Sequence, residues 1–191
     1  MMIDDAAAGR FVDEACANPI NEALIERLPA LGLPDCWLVA GCLFQTVWNG
    51  QAGRPASEKI SDYDVFYFDP ADTSYEAEDL NIRRLAAAFA DLDVRIELKN
   101  QARVHLWYPL RFGRAYSPLS CSTEGIDRFL VRATCVGVDC SAATSRAVYA
   151  SFGLEEMYAG LLGANPRNVA GDRFAEKALS YQARWPWLRI V

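Results

Sequence analysis

One stretch constrains the fold of this chain more than any other: Ser61-Asp62-Tyr63-Asp64-Val65-Phe66-Tyr67-Phe68-Asp69. Two aspartates stand one residue apart where a strongly apolar run begins. Along a strand, residues i and i+2 point to the same side, roughly 6 to 7 Å apart at Cα. Both carboxylates can therefore converge on one metal ion or on a pair of ions. Asp62 and Asp64 share their face with Phe66 and Phe68, so that face is not an ordinary solvated one. Upstream, Gly41-Cys42 directly follows the apolar run Trp37-Leu38-Val39-Ala40.

The elements around this stretch follow from periodicity and punctuation. Asn18 to Leu31 reads as a helix, capped by Asn18, with Pro19 in its first turn and Ile20, Leu24, Ile25 and Leu28 as an apolar stripe. Cys36 to Ala40 reads as a short buried strand. Gly41 opens a second helix that ends near Asn49-Gly50, and Gln51 to Lys59 reads as an exposed loop. Asp62 to Phe68 is the second strand. Thr73-Ser74-Tyr75-Glu76 has capping-box spacing and predicts a helix to about Ala90. Leu92, Val94, Ile96 and Leu98 then alternate with charged residues, as in a half-buried strand.

Further on, Asn100 to Arg111 reads as a loop with a helical turn, Thr123 to Leu130 as a short helix and Val131 to Val138 as a strand. Phe152 to Leu162 and Asp172 to Arg184 read as helices flanking the turn Gly163-Ala164-Asn165-Pro166. The closing Trp185-Pro186-Trp187-Leu188 is expected to pack down. This order predicts an α+β fold, a mixed β-sheet with helices packed on it. One domain over residues 1–191 is expected, with a core at about 18–140 and a C-terminal helical part at about 150–191.

Composition narrows the function classes. A 52% hydrophobic, 12% aromatic chain of 191 residues is a folded one. A net charge of −6 argues against broad electrostatic binding to nucleic acid. No apolar run is long enough to span a bilayer, and the N-terminus lacks the signature of a signal peptide, so a cytoplasmic location with no membrane partner is expected. Six cysteines without CxxC spacing do not suggest a zinc site or a redox pair.

The chemistry lies in the combination. A helix start offers unpaired N–H groups and the positive end of a dipole, and Gly41 lets a phosphate approach closely. Carboxylate pairs such as Asp62 and Asp64 suit Mg²⁺, which takes further ligands from water and substrate phosphates. A third acid on the next strand completes a two-metal site. Glu97 is the favoured candidate and Asp93 the reserve, because both lie on the polar face of the Leu92–Leu98 run. Each feature also has a plain structural reading: a turn-forming acid pair, a tight glycine turn, and ordinary alternating charge on a half-exposed strand. His105, the single histidine, reads as a packed residue. Asn100, Gln101 and Arg103 read as loop anchors, Lys59 as solvated, and Trp48, Trp107, Trp185 and Trp187 as core.

Gly41-Cys42, Asp62-Tyr63-Asp64 and an apolar-flanked acid on the following strand together resemble the DNA polymerase β-type nucleotidyltransferases. More closely, the chain is similar to a family of bacterial nucleotidyltransferase-like proteins. Five segments carry that likeness: Ala40-Gly41 through Val47-Trp48-Asn49, Asp62 to Val65, Asn100 to Tyr108, Asn165-Pro166 and Trp185-Pro186. The resemblance implies a polymerase β-type core with additional C-terminal helices. It implies Mg²⁺ or Mn²⁺ on Asp62, Asp64 and Glu97 as catalytic and metal residues. It further implies an NTP, with ATP the expected one, held at Gly41 and Cys42, and transfer of NMP to a hydroxyl acceptor. A small-molecule or protein acceptor is favoured over nucleic acid. Cys42 stands where the superfamily has a small polar serine, and a thiol is a weak donor. That departure keeps two rivals open: a silent nucleotide-binding or regulatory module on the same fold, and a protein-interaction component of a stress or toxin–antitoxin system.

Overall fold

The computed structural model describes residues 3–168 and 173–191. Its centre is a five-stranded mixed sheet with strand order β3-β2-β1-β4-β5. The strands are β1 (Trp37–Val39), β2 (Tyr63–Tyr67), β3 (Ile96–Asn100), β4 (Val136–Asp139) and β5 (Val148–Ala150). β1 runs antiparallel to β2 and β4, and β4 runs antiparallel to β5. β2 and β3 are parallel, and the helix α4 (Tyr75–Ala88) makes the crossover that a parallel pair requires.

Alternation decides what each face of the sheet does. In β2, Tyr63, Val65 and Tyr67 are buried, whereas Asp64 and Phe66 are half-buried. The buried set joins the main core. Phe11 of α1 (Asp5–Cys16), Leu24 of α2 (Pro19–Arg27), Phe44 of α3 (Gly41–Gln51) and Leu85 of α4 pack into the same core. Val39, Ile126 and Cys135 form a smaller cluster, with Trp37, Phe66 and Phe129 against it. Asp64 therefore emerges beside Phe66, away from the main core.

Buried asparagines tie the helical layer to the sheet. Asn18 caps α2 through its Oδ1 and donates from Nδ2 to the Tyr63 hydroxyl at 3.2 Å. Asn21 donates to the Cys42 carbonyl at 2.9 Å. Asn49 accepts from the Trp185 indole at 3.0 Å and donates to the carbonyls of Ala56 and Glu58, fixing the loop after α3.

Several boundaries differ from the sequence expectation. Helix α1 precedes the first expected helix. The Asn18–Leu31 segment is α2 followed by a 3-10 turn over Leu28–Leu31, since Pro29 cannot donate and Gly32 turns left-handed at φ 63°. Ser74, not Thr73, caps α4, accepting from the Ala77 N–H. β3 starts at Ile96, where its pairing with β2 starts. Asn100–Arg111 is a 3-10 turn and a nine-residue helix, α5 (Val104–Phe112). The short helix α6 is Ser122–Ile126. The expected strand from Val131 opens as a 3-10 turn, Arg132–Thr134, before β4.

Phe152–Leu162 is not one helix. It holds a single turn, α7 (Glu155–Tyr158), then Gly160 at φ 65°, then β6 (Leu161–Leu162). A Cβ at position 160 would collide with the Trp187 ring, so the chain's end packs on that glycine. β6 pairs in parallel with β7 (Arg189–Ile190). The last helix, α8, is Phe174–Arg184, and the expected start at Asp172 lies outside the described residues. No helix among the described residues is long and apolar enough to cross a membrane.

Candidate active site

Two of the predicted acids, Asp62 and Asp64, meet the glycine turn at one cavity, while Glu97 lies beside Asp64 on the next strand and does not line it. β1 ends at Ala40, which has φ 62° and ψ −132°, a conformation that a residue with a Cβ adopts only under strain. The strained turn starts α3 abruptly, and no side chain among the described residues caps its N-terminus. The first-turn N–H groups of Gly41 and Cys42 thus carry the positive end of the helix dipole. A Cβ at Gly41 would lie 2.6 Å from the Gln45 Nε2, so a side chain there would have to displace the end of Gln45. Gln45 is held in turn by Arg184, whose Nη1 donates to its Oε1 at 2.9 Å.

Ala40, Gly41 and Gln45 line a cavity of about 310 Å³ together with Asp62 and Asp64. Asp62 immediately precedes β2 and Asp64 lies within it. Glu97 sits directly opposite Asp64 in the β2–β3 register, and Lys99 opposite Phe66. The reserve acid, Asp93, is exposed and precedes β3, outside that register. Burial pushes the Asp64 carboxyl up to about 7, and the charges of Asp62 and Glu97 push the same way, partly offset by Lys99 and Lys177. The three acids therefore feel one another.

They do not form a closed metal cage. Among the described residues, no three acid, histidine or cysteine side chains are grouped as ligands, and Glu97 pairs with Arg95 at 2.5 Å. The donor chemistry still fits a hard divalent cation. Two neighbouring carboxylates, one of them hard to ionise, suit an ion that completes its shell with water and phosphate oxygens.

Cys42 has a different place from the one its position suggested. Its side chain is fully buried in the main core, where burial raises its pKa well above the usual thiol range, and Sγ donates to the Val39 carbonyl at 3.4 Å. Cys42 is not among the residues that line the cavity, and only Gly41 of the expected pair does so. The exchange of serine for cysteine consequently falls on a side chain that faces the core.

The remaining wall comes from residues 128–131 with Thr134 and from α8, none of them singled out as site residues by the sequence. Lys177 and Tyr181 line the cavity, and Arg184 follows three residues later on the same helical face. Lys177 Nζ lies 5.1 Å and the Arg184 guanidinium 5.3 Å from the Tyr181 ring centre. Burial lowers the Lys177 pKa, with Arg184 adding to the effect and Asp62 and Asp64 opposing it. The signal was present as an i, i+4, i+7 set of two cations and a tyrosine. Arg128 completes the group at the cavity edge.

The other singled-out residues are mostly scaffold. Asn100 donates to the Asp69 carbonyl at 2.9 Å and accepts from the N–H groups of Asp69 and Ala102. Arg103 pairs with the buried Glu78 and bonds the Thr73 carbonyl at 3.2 Å. Asn165 donates to the carbonyls of Asp127 and Phe129, both at 2.7 Å, and so holds the loop that carries Arg128. Lys59 is exposed, at φ 57°. His105 Nδ1 is buried without a partner among the described residues. Trp48 and Trp185 are core, with ring centres 5.4 Å apart, but Trp107 faces a second cavity.

Comparison with known proteins bears on the fold and the family. No curated protein sequence matches the chain. A solved structure described as a CCA-adding enzyme head domain, determined by NMR, superposes with a TM-score of 0.73 at 24% identity, covering 95% of this chain and 94% of that one. A CCA-adding enzyme in complex with CTP gives 0.57 at 12% identity, covering 96% of this chain and 43% of that one. A tRNA-processing enzyme in an apo form gives 0.53 at 11%, covering 100% and 45%. The chain spans less than half the length of these two larger proteins, and the likeness to all three is one of fold. A family model described as nucleotidyltransferase matches residues 26–190, and on that match the chain belongs to the nucleotidyltransferase family.

Proposed function

We propose that the chain transfers a nucleoside monophosphate from an NTP to a hydroxyl acceptor. The observation that carries this reading is the convergence of the α3 N-terminus, Asp62, Asp64 and Lys177 on one cavity. The N–H groups of Gly41 and Cys42 receive the β- and γ-phosphate oxygens, and Lys177 adds a point charge. Mg²⁺ or Mn²⁺, when bound by Asp62 and Asp64, supplies neutralisation of the triphosphate charge. Glu97 orients the acceptor hydroxyl and takes its proton once Arg95 releases it. The acceptor oxygen bonds to the α-phosphorus, the bond to the bridging oxygen breaks, and pyrophosphate leaves. Catalysis of this kind is mostly positioning and charge stabilisation.

ATP is the donor expected first. CTP, bound by one structural relative, is the second to test. The decisive experiment is thermal shift and calorimetry with each NTP, with and without Mg²⁺ or Mn²⁺, on wild type, Asp62→Asn and Asp64→Asn. A metal-dependent stabilisation by NTP that either substitution abolishes is expected. Identical responses from wild type and variants would overturn the reading. The Arg95–Glu97 pair favours one alternative, a module that binds nucleotide without chemistry. That module shows the same metal-dependent stabilisation and releases no pyrophosphate with any acceptor.

A further inference from the structure

A second cavity of about 260 Å³ meets the first at Asp64, Arg128 and Phe129. Its walls are unusually aromatic: Phe66, Trp107, Tyr108, Tyr116 and Phe129, each only half-buried. Tyr108 and Tyr116 meet at a tilt of 41° with centres 4.6 Å apart, and Phe66 and Phe129 lie 5.9 Å apart. These rings come from β2, α5 and two loops, so the fold gathers them from four separate segments. Leaving that much aromatic surface in contact with water is unfavourable, at about 25 cal/mol per Å². A planar occupant would cover it with stacking geometry that such rings favour.

Charge enters at the end nearest the acids. Lys99 is the cross-strand neighbour of Phe66, and the Arg128 guanidinium lies 5.0 Å from the Tyr116 ring centre. At Gly125 a Cβ would collide with the Gln101 Oε1, so a glycine there keeps the floor of the cavity open. Phe44 and Tyr181 also line the first cavity, but they are core rings, 1% and 4% exposed. The first cavity thus gathers the phosphate-directed groups, the α3 N-terminus and Lys177, and the second gathers the accessible rings, with Asp64 common to both.

We propose that the second cavity is the acceptor subsite, and that the acceptor is a small hydroxyl-bearing compound with a planar ring. This rests on the nucleotidyl-transfer reading of the first cavity. A volume of about 260 Å³ suits one ring system with a short substituent, and a chain of net charge −6 disfavours a long phosphate backbone. The ring stacks between the tyrosines and Phe129, and its hydroxyl faces Asp64. That oxygen bonds to the α-phosphorus, pyrophosphate leaves with the broken bridging bond, and the hydroxyl proton passes to Glu97.

The test is calorimetry on the full chain with adenosine, uridine and 2-(4-hydroxyphenyl)ethanol as probes. The first cavity is saturated with Mg²⁺ and α,β-methylene-ATP. Wild type is expected to bind at least one ring probe. Tyr108→Ala and Trp107→Ala should weaken that binding at least tenfold while keeping the thermal shift given by Mg–ATP. Tyr108→Leu, which keeps apolar bulk without the ring, should weaken it as well. Equal weakening of Mg–ATP in these variants would assign the cavity to the donor's base and overturn the proposal, as would unchanged probe binding. A wild type that binds Mg–ATP but no ring probe fails the acceptor assignment alone. One that binds neither Mg–ATP nor Mg–CTP fails the transfer reading beneath it.

Discussion

Ionised Asp64 carries a cost that a proton or a bound cation can lift. Its carboxyl is buried, Asp62 precedes it by two residues, and Glu97 lies opposite it on the neighbouring strand. Burial and like charge both favour the protonated form, which raises its pKa to about 7 against an ordinary aspartate value of about 3.9. The sign of the consequence follows from proton counting. Between about pH 4 and 7 the folded chain holds a proton that the unfolded chain has released. Stability is therefore lost as pH rises through that window, and the loss is complete above it. We expect the Tm of metal-free wild type to fall relative to that of Asp64→Asn between pH 4 and 8, and Mg²⁺ to narrow the gap at the upper end. A difference that stays constant with pH would mean that Asp64 is not held in this way.

Elements set by local signals were legible, and elements set by distant partners were not. The β1–turn–α3–β2 order followed from an apolar run, a glycine and a period-two pattern, and the structure keeps all of it. The adjacency of Asp64 and Glu97 was readable for the same reason, since each takes its direction from its own strand. β3 began late and Phe152–Leu162 broke up because their limits depend on β2 and on Trp187 packing over Gly160. Lys177, Tyr181 and Arg184 were legible as one face of a helix but not as neighbours of Asp62, since that relation is created by docking α8 more than a hundred residues later. Their contribution is nonetheless separable from folding. Lys177→Met keeps the stem's packing and removes the charge. It should weaken Mg–ATP binding about tenfold, equivalent to about 1.4 kcal/mol, with little change in the Tm of the nucleotide-free protein. Unaltered affinity by calorimetry would exclude α8 as a phosphate contact.

At the scale of the whole molecule, the C-terminal segment closes the site from behind. Trp185 is buried against Trp48, its indole donates to Asn49, and the Arg184 guanidinium lies 4.6 Å from its ring centre. The Arg184 carbonyl accepts from Arg54 at 2.7 Å, and β7 pairs with β6 beyond it. One tryptophan thus links the end of α3, the loop after it and the position of α8. Removing it should therefore act twice. Trp185→Ala leaves a cavity and an unpaired Asn49 carbonyl, a loss of about 3 to 5 kcal/mol. It also frees Arg184 and Gln45, on which the crowding at Gly41 depends. Trp185→Phe retains most of the volume and loses only the indole bond. The expected order in Tm is wild type, then Trp185→Phe, then Trp185→Ala, and Mg–ATP affinity should follow the same order at a temperature where all three are folded. If affinity stayed level while the Tm fell, α8 would hold its place without the tail, and the C-terminal segment would serve stability alone.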